Sequence, residues 1–154
     1  MNVIKDTIFI EKKRNLASTL NFLNALKTKL NIEDAVEIAE IAAANHLIQH
    51  YKEIFKGTIP ESQERFDVFR KYYEAYPLIS SYCEIIESNK DCLKVKFNRC
   101  PHAEILSDED LFEFAPASCK SDIAFTEELL PGVKFSRESS IVDGDKTCIM
   151  VWEK

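Results

Sequence analysis

The hydrophobic pattern changes period midway along the chain, and this change constrains the fold more than any other feature. Up to about residue 77 apolar residues recur every three or four positions; beyond it they alternate. A helix buries a stripe and a strand buries a face, so helices must first form a layer and strands then pair against it. From about Glu11 to Leu30 the stripe is Leu16, Leu20, Leu23, Leu26 and Leu30, which predicts one amphipathic helix. Asn31 stands at a cap position before Glu33 and Asp34, predicting a second helix from Ile32 to about Phe55, stopped by Gly57. Pro60 opens a third, with Phe66, Phe69, Tyr72, Tyr73 and Tyr76 at helical spacing, and Pro77 ends it. Ala35, Ala39, Ala42, Ala43 and Ala44 leave the second helix open to close approach by another helix. A homodimer through that surface is one expected assembly.

In the second half, Ser80 to Glu87 and Cys92 to Arg99 alternate around a turn at Asn89-Lys90-Asp91. Leu93, Val95 and Phe97 share one face, while Lys94, Lys96 and Asn98 share the other; Cys100 falls on the polar parity. Pro101 ends the strand. Residues 101–130 read as two or three short helices broken near Ser107 and Pro116. A final hairpin, Val133 to Ile141 and Lys146 to Glu153, turns at Asp143-Gly144. The expected architecture is α+β: about three N-terminal helices, then an antiparallel sheet of four or more strands with short helices between two hairpins. The 154 residues suit one domain, with a helical half over 1–77 and a sheet-containing half over 78–154.

With 20 basic against 26 acidic residues the net charge is −6, which argues against nucleic acid or an anionic membrane surface as a partner. The run Glu11-Lys12-Lys13-Arg14 reads as a solvated helix face. No stretch approaches the roughly 18 apolar residues of a membrane span. Met1 to Ile10 carries Lys5 and Asp6 and has no export signal, so a cytoplasmic location with reduced thiols is expected. Three glycines leave no material for a phosphate-cradling loop.

The five cysteines fall into two groups. Cys83 and Cys92 sit within alternating strands and read as packing. Cys100, Cys119 and Cys148 sit at a strand end, near the start of a helix and early in the last strand. Cys119 and Asp122 are three apart, on one helix face. If Ala117 or Ser118 is the last residue before the helix, the helix N-terminus would acidify the Cys119 thiol. His46 and His50, four apart, could share a metal, but nothing nearby completes a site, and they read as packed and solvated residues. Cys100, Cys119 and Cys148 could hold a metal with His102 or Asp122 as a fourth ligand, yet no C-x-x-C pair supports a structural zinc. No cofactor is therefore expected, with zinc the alternative.

In order, Cys100, the C-x-x-D pair Cys119 and Asp122, Arg137, Ser140, Gly144-Asp145 and Cys148 resemble the C-terminal half of the L-2-amino-thiazoline-4-carboxylic acid hydrolase family. The resemblance covers Arg99 to Trp152. Ser140 stands for the family's usual Thr, Ile149 and Met150 for its usual Asp and aromatic residue, and no glycine occurs near Ser107. It implies an enzyme with a small-molecule substrate, a hydrolase acting on a non-peptide carbon–nitrogen bond of a cyclic amidine. Water would open the ring to a carbamoyl-cysteine. On this resemblance Asp122 or Glu104 would hold the amidinium, Cys100 or Cys119 would attack it, and His102 would move protons. Arg137, better placed than Arg99, would pair with the substrate carboxylate, and Ser140, Asp145 and Cys148 would complete the substrate site. Direct attack by a water activated by Asp122 or a bound metal competes with the covalent route. The alternative function class is a small-molecule or zinc binding and sensing module that uses the same cysteine-lined pocket without turnover.

Overall fold

A computed structural model describes residues 7–56, 65–75 and 82–154. Among the described residues, six α-helices and four strands follow the order α1 Thr7–Asn15, α2 Ala17–Lys29, α3 Ile32–Phe55, α4 Arg65–Ala75, β1 Cys83–Ser88, β2 Cys92–Phe97, α5 Pro101–Asp108, α6 Ala115–Leu129, β3 Lys134–Ser139 and β4 Cys148–Glu153. A 3-10 turn, Phe112–Phe114, leads into α6. The strands form one antiparallel sheet in the order β1-β2-β4-β3, so the fold is α+β with two hairpins joined through β2 and β4. Gly57, Pro60, Tyr76, Pro77 and Ser80, which bound the expected third helix and first strand, lie outside the described residues.

Local chemistry explains most element ends. The Asn31 side chain accepts the Asp34 N–H at 2.9 Å, capping α3 ahead of its two first-turn acids. Pro101 opens α5 behind Cys100. The helix expected over 11–30 is instead two helices parting at Leu16, which has no side-chain cap. The reason is tertiary: α1 packs on α5 through Phe9, whereas α2 packs on α3 through Leu20 and Leu23, and one straight rod cannot face both. The chain breaks near Ser107 and near Pro116 as expected, α5 ending at Asp108 and α6 starting at Ala115, one residue before Pro116. Pro116 lies in the first turn of α6, where a missing N–H costs nothing. Between α5 and α6, Asp110 takes the left-handed conformation at φ 58°, a role open to Asp without glycine.

The last hairpin is wider than expected around the turn at Asp143-Gly144. Strand pairing stops at Ser139↔Ile149, leaving an eight-residue loop over 140–147. Asp145 Oδ2 accepts the Ser140 N–H at 2.8 Å and the Ser140 carbonyl accepts the N–H groups of Asp143 and Asp145, which stabilises the wider loop. Gly144 sits there at φ 101°, where a Cβ would strain the backbone.

Two cores fill the molecule. Beneath the sheet an aromatic core joins Tyr51 and Phe55 of α3, Phe66, Phe69 and Tyr73 of α4, Phe125 of α6, and Leu93, Val95 and Trp152 of the strands. Its only buried indole N–H donates to Thr126 Oγ1 at 3.0 Å, so Trp152 is buried without an orphaned donor. At the other end Phe9, Leu20, Leu23, Ala35, Ala39, Ile105, Leu106, Ala115 and Ala117 form a core of smaller residues. Two of the alanines expected to invite a helix are thus buried inside this chain. Helices α3 and α6, the most extensively packed pair, run through both cores.

Candidate active site

Where α3 and α6 leave the alanine-rich core and enter the aromatic one, neither set of side chains fills the space. Ser118, Cys119 and Asp122 occupy this middle stretch of α6, and Leu47 and His50 that of α3. A pocket of about 330 Å³ opens there. Cys100, His102, Arg137 and Cys148 join its wall from α5 and the sheet, and Lys12, Tyr51, Tyr72, Tyr73 and Tyr82 line the rest.

Each polar residue reaches the pocket for a local reason. Strand β2 ends at Phe97, so Cys100 is not a strand residue on a polar face but the cap of α5. Its Sγ accepts the Ala103 N–H at 3.5 Å. One turn of α5 brings His102 Nε2 to 2.7 Å from Ser118 Oγ on α6. Burial holds His102 down at about 4, with nearby Lys12 adding to the effect, so the imidazole is neutral at physiological pH. Cys148 opens β4 opposite Phe97, at the sheet end nearest α5.

Arg137 points inward from β3 with Phe135, its guanidinium 5.3 Å from that ring. Its Nη2 donates to Asp122 Oδ2 at 2.9 Å and to the Cys119 carbonyl at 3.1 Å. Burial raises the Asp122 carboxyl to about 7 despite Arg137 pulling it down, so this acid gains and loses its proton near neutrality. Nε of Arg137 is buried with no partner.

The thiols differ from the helix-terminus expectation. Phe114, not Ala117 or Ser118, is the last residue before α6, so Cys119 is the fifth helical residue. Burial pushes its thiol up to about 11. Cys148 is also raised by burial. Cys83, next to Cys148 and packed on the aromatic core, is raised to about 12, and Cys92 lies apart on another surface. All five are free thiols.

Cys100, His102, Cys119, Asp122, Arg137 and Cys148 therefore share one pocket, whereas three expected site residues stand outside its wall. Glu104 is held by Arg99 at 3.0 and 2.5 Å, and Ser140 and Asp145 bond each other to shape the loop that leads to Cys148. Among the described residues no three His, Cys, Asp or Glu side chains are arranged to hold a metal ion. Nor is any helix there long and apolar enough to cross a membrane.

The family model for L-2-amino-thiazoline-4-carboxylic acid hydrolase matches residues 11–152. The chain belongs to that family. The match extends the resemblance of residues 99–152 back through the helical half, which also lines the pocket. Among solved structures the fold is similar to trafficking protein particle complex subunit 3 from Naegleria fowleri, determined covalently bound to palmitic acid. The two chains are 13% identical with a TM-score of 0.50, over 92% of this chain and 94% of that one, a likeness of fold alone. No curated protein matches the chain.

Sequence reasoning missed the first-half contributors. Lys12 is not on a solvated face: it follows Phe9 by one helical turn and turns inward with it. Extending the apolar stripe back past Leu16 to Phe9 would have found it. His50 lines the pocket and pairs with Tyr72 Oη at 3.3 Å. Ser118 carried no signal, because its partner His102 is 16 residues away.

Proposed function

We propose that the protein is a hydrolase that opens 2-amino-thiazoline-4-carboxylate or a closely related cyclic amidine to a carbamoyl-cysteine product. The observation that carries this reading is the single pocket holding a capped thiol, a neutral histidine and a carboxyl near neutrality in a chain of this family. Ionised Asp122, oriented by Arg137, holds the amidinium through its second oxygen and keeps the carbon between nitrogen and sulfur electrophilic. Cys100 is the nucleophile. Its sulfur meets an N–H at the start of α5 and lines the pocket with His102. Burial raises the Cys119 and Cys148 thiols, which counts against them as nucleophiles.

Cys100 sulfur adds to the amidine carbon as its proton passes to His102. The ring carbon–sulfur bond then breaks, not the carbon–nitrogen bond that the resemblance implied, and the departing sulfur takes that proton as a free thiol. Water adds to the enzyme-bound isothiourea carbon, one of its protons passing to an isothiourea nitrogen and the other by way of His102 to the expelled Cys100 sulfur, and its oxygen becomes the urea carbonyl. One water is consumed and no oxidant or reductant is required.

The test incubates purified protein with the aminothiazoline acid and follows the product, heavier by one water and bearing a new thiol, by mass spectrometry. Product formed above a heat-denatured control supports the reading; none sinks it. A second reading, a binding or sensing module, is favoured by the pocket's aromatic wall of Tyr51, Tyr72, Tyr73, Tyr82 and Phe97. Saturable binding of the same acid without product would support that reading.

A further inference from the structure

The pocket holds two cations of unlike standing. Arg137, the residue expected to receive the substrate carboxylate, is already held by Asp122. Lys12 makes no ion pair with any carboxylate among the described residues. Its Nζ lies 5.7 Å from the ring of Tyr82. Its neighbour Lys13 shows the usual solution on the same helix, pairing with Asp108 at 2.8 Å and with Glu109 to tie α1 to α5. Lys12 is instead turned into the pocket, where it interacts with Cys100 and His102.

A half-buried ammonium without a counter-ion is costly unless something pairs with it. We propose that Lys12 is the carboxylate subsite of the pocket, receiving the acid group of the substrate while Asp122 receives its amidine. The inference rests on the hydrolase reading for the identity of the substrate, and it assigns α1 a role in choosing that substrate. An aminothiazoline acid carries its amidinium at C2 and its carboxylate at C4, the two ring carbons that flank the ring nitrogen, so the two charges are distinct points for recognition. Lys12 on α1 and Asp122 on α6 present the complementary charges from different elements across one cavity. Burial lowers the Lys12 ammonium from its ordinary value, and a bound carboxylate would reverse that shift.

The experiment compares wild type, Lys12→Met and Lys12→Arg against 2-amino-thiazoline-4-carboxylate and against 2-aminothiazoline, which lacks the carboxylate. Affinity is read by titration calorimetry, turnover by product mass and stability by thermal melting of the free protein. We expect Lys12→Met to weaken the acid roughly 10- to 100-fold, to leave 2-aminothiazoline within about twofold, and to raise the melting temperature by removing an unpaired buried charge. Lys12→Arg should restore most of the preference for the acid.

Equal losses for both ligands, or a fall in kcat with KM unchanged, would overturn the proposal by assigning Lys12 to Cys100 instead. A lowered melting temperature with ligand preference intact would also overturn it, leaving Lys12 a structural contact of Tyr82. Acid bound in a Lys12-dependent way without product would sustain the subsite and sink the hydrolase reading. Turnover with unaltered ligand preference in Lys12→Met would do the reverse. Failure of wild type to bind either ligand would end both.

Discussion

The two cores of this protein are built from unlike materials, and the pocket is where they meet. In the alanine-rich core, Ala35, Ala39, Ala115 and Ala117 let α3 and α6 approach closely. In the aromatic core the same two helices pack through rings, with Tyr51 and Phe125 stacked at 4.2 Å between centroids. Small residues pack tightly with little specificity of shape, whereas rings need room and fix orientation. The stretch between them, Ser118 to Asp122 facing Leu47 to His50, belongs to neither regime and carries the polar groups. Chemistry occupies the place where packing changes character, where a cavity disturbs neither core.

Substitutions at the junction and in each core should separate these roles. The largest effect is expected from Cys100→Ala, which should lower kcat/KM at least about a thousandfold, or about 4 kcal/mol of transition-state stabilisation, while the lost cap of α5 costs only about 0.5–2 kcal/mol of stability. A variant within about tenfold of wild type would move the nucleophile elsewhere. In the aromatic core, Tyr51→Ala removes a ring touching Phe69, Phe125 and Tyr72 and should cost about 3–5 kcal/mol in denaturant unfolding. In the alanine core, Ala39→Leu should cost about 1–3 kcal/mol through overpacking. A neutral Ala39→Leu would mean that the helices there are not tightly apposed, and the contrast between the cores would fail.

A subtler effect concerns pH. Free aspartate ionises near 3.8 but buried Asp122 holds its proton to about 7, so its contribution to stability falls as pH rises between those values. His102 works in the opposite direction. Unfolded, it takes a proton near 6.5, whereas folded it resists until about 4, so its contribution falls as pH drops through that window. The two slopes oppose each other in the wild type. Replacing His102 by Asn should leave a protein that melts lower as pH rises from about 4 to 7, and Asp122→Asn should leave one that melts lower as pH drops from about 6.5 to 4. Melting temperatures of both variants that track the wild type across this range would refute the burial of these groups at the junction.

Much of the fold could be read from residue periodicity, because that signal is local. The change of period, the Asn31 cap, the alternation of β2 and the Pro101 boundary are each set within a few residues. The ordered C-terminal motif was equally legible, and the pocket gathers six of its expected site residues. What escaped were properties set by distant partners. Leu16 breaks a helix because α1 and α2 face different neighbours, and Ser140 and Asp145 shape a loop where a substrate contact was expected. Cys119, which a helix terminus was expected to acidify, is held protonated by burial.

The sequence by itself determined the α+β order, the antiparallel sheet and the family, since periodicity and motif spacing are properties of the chain alone. Only the tertiary structure decided which charges are paired and which are spare. Arg137 found Asp122 across 15 positions, and Lys12 was turned inward behind Phe9 with no carboxylate among the described residues to meet it. Ion pairing and desolvation depend on distance and burial, and both are fixed only when α1, α6 and the sheet close around the same space.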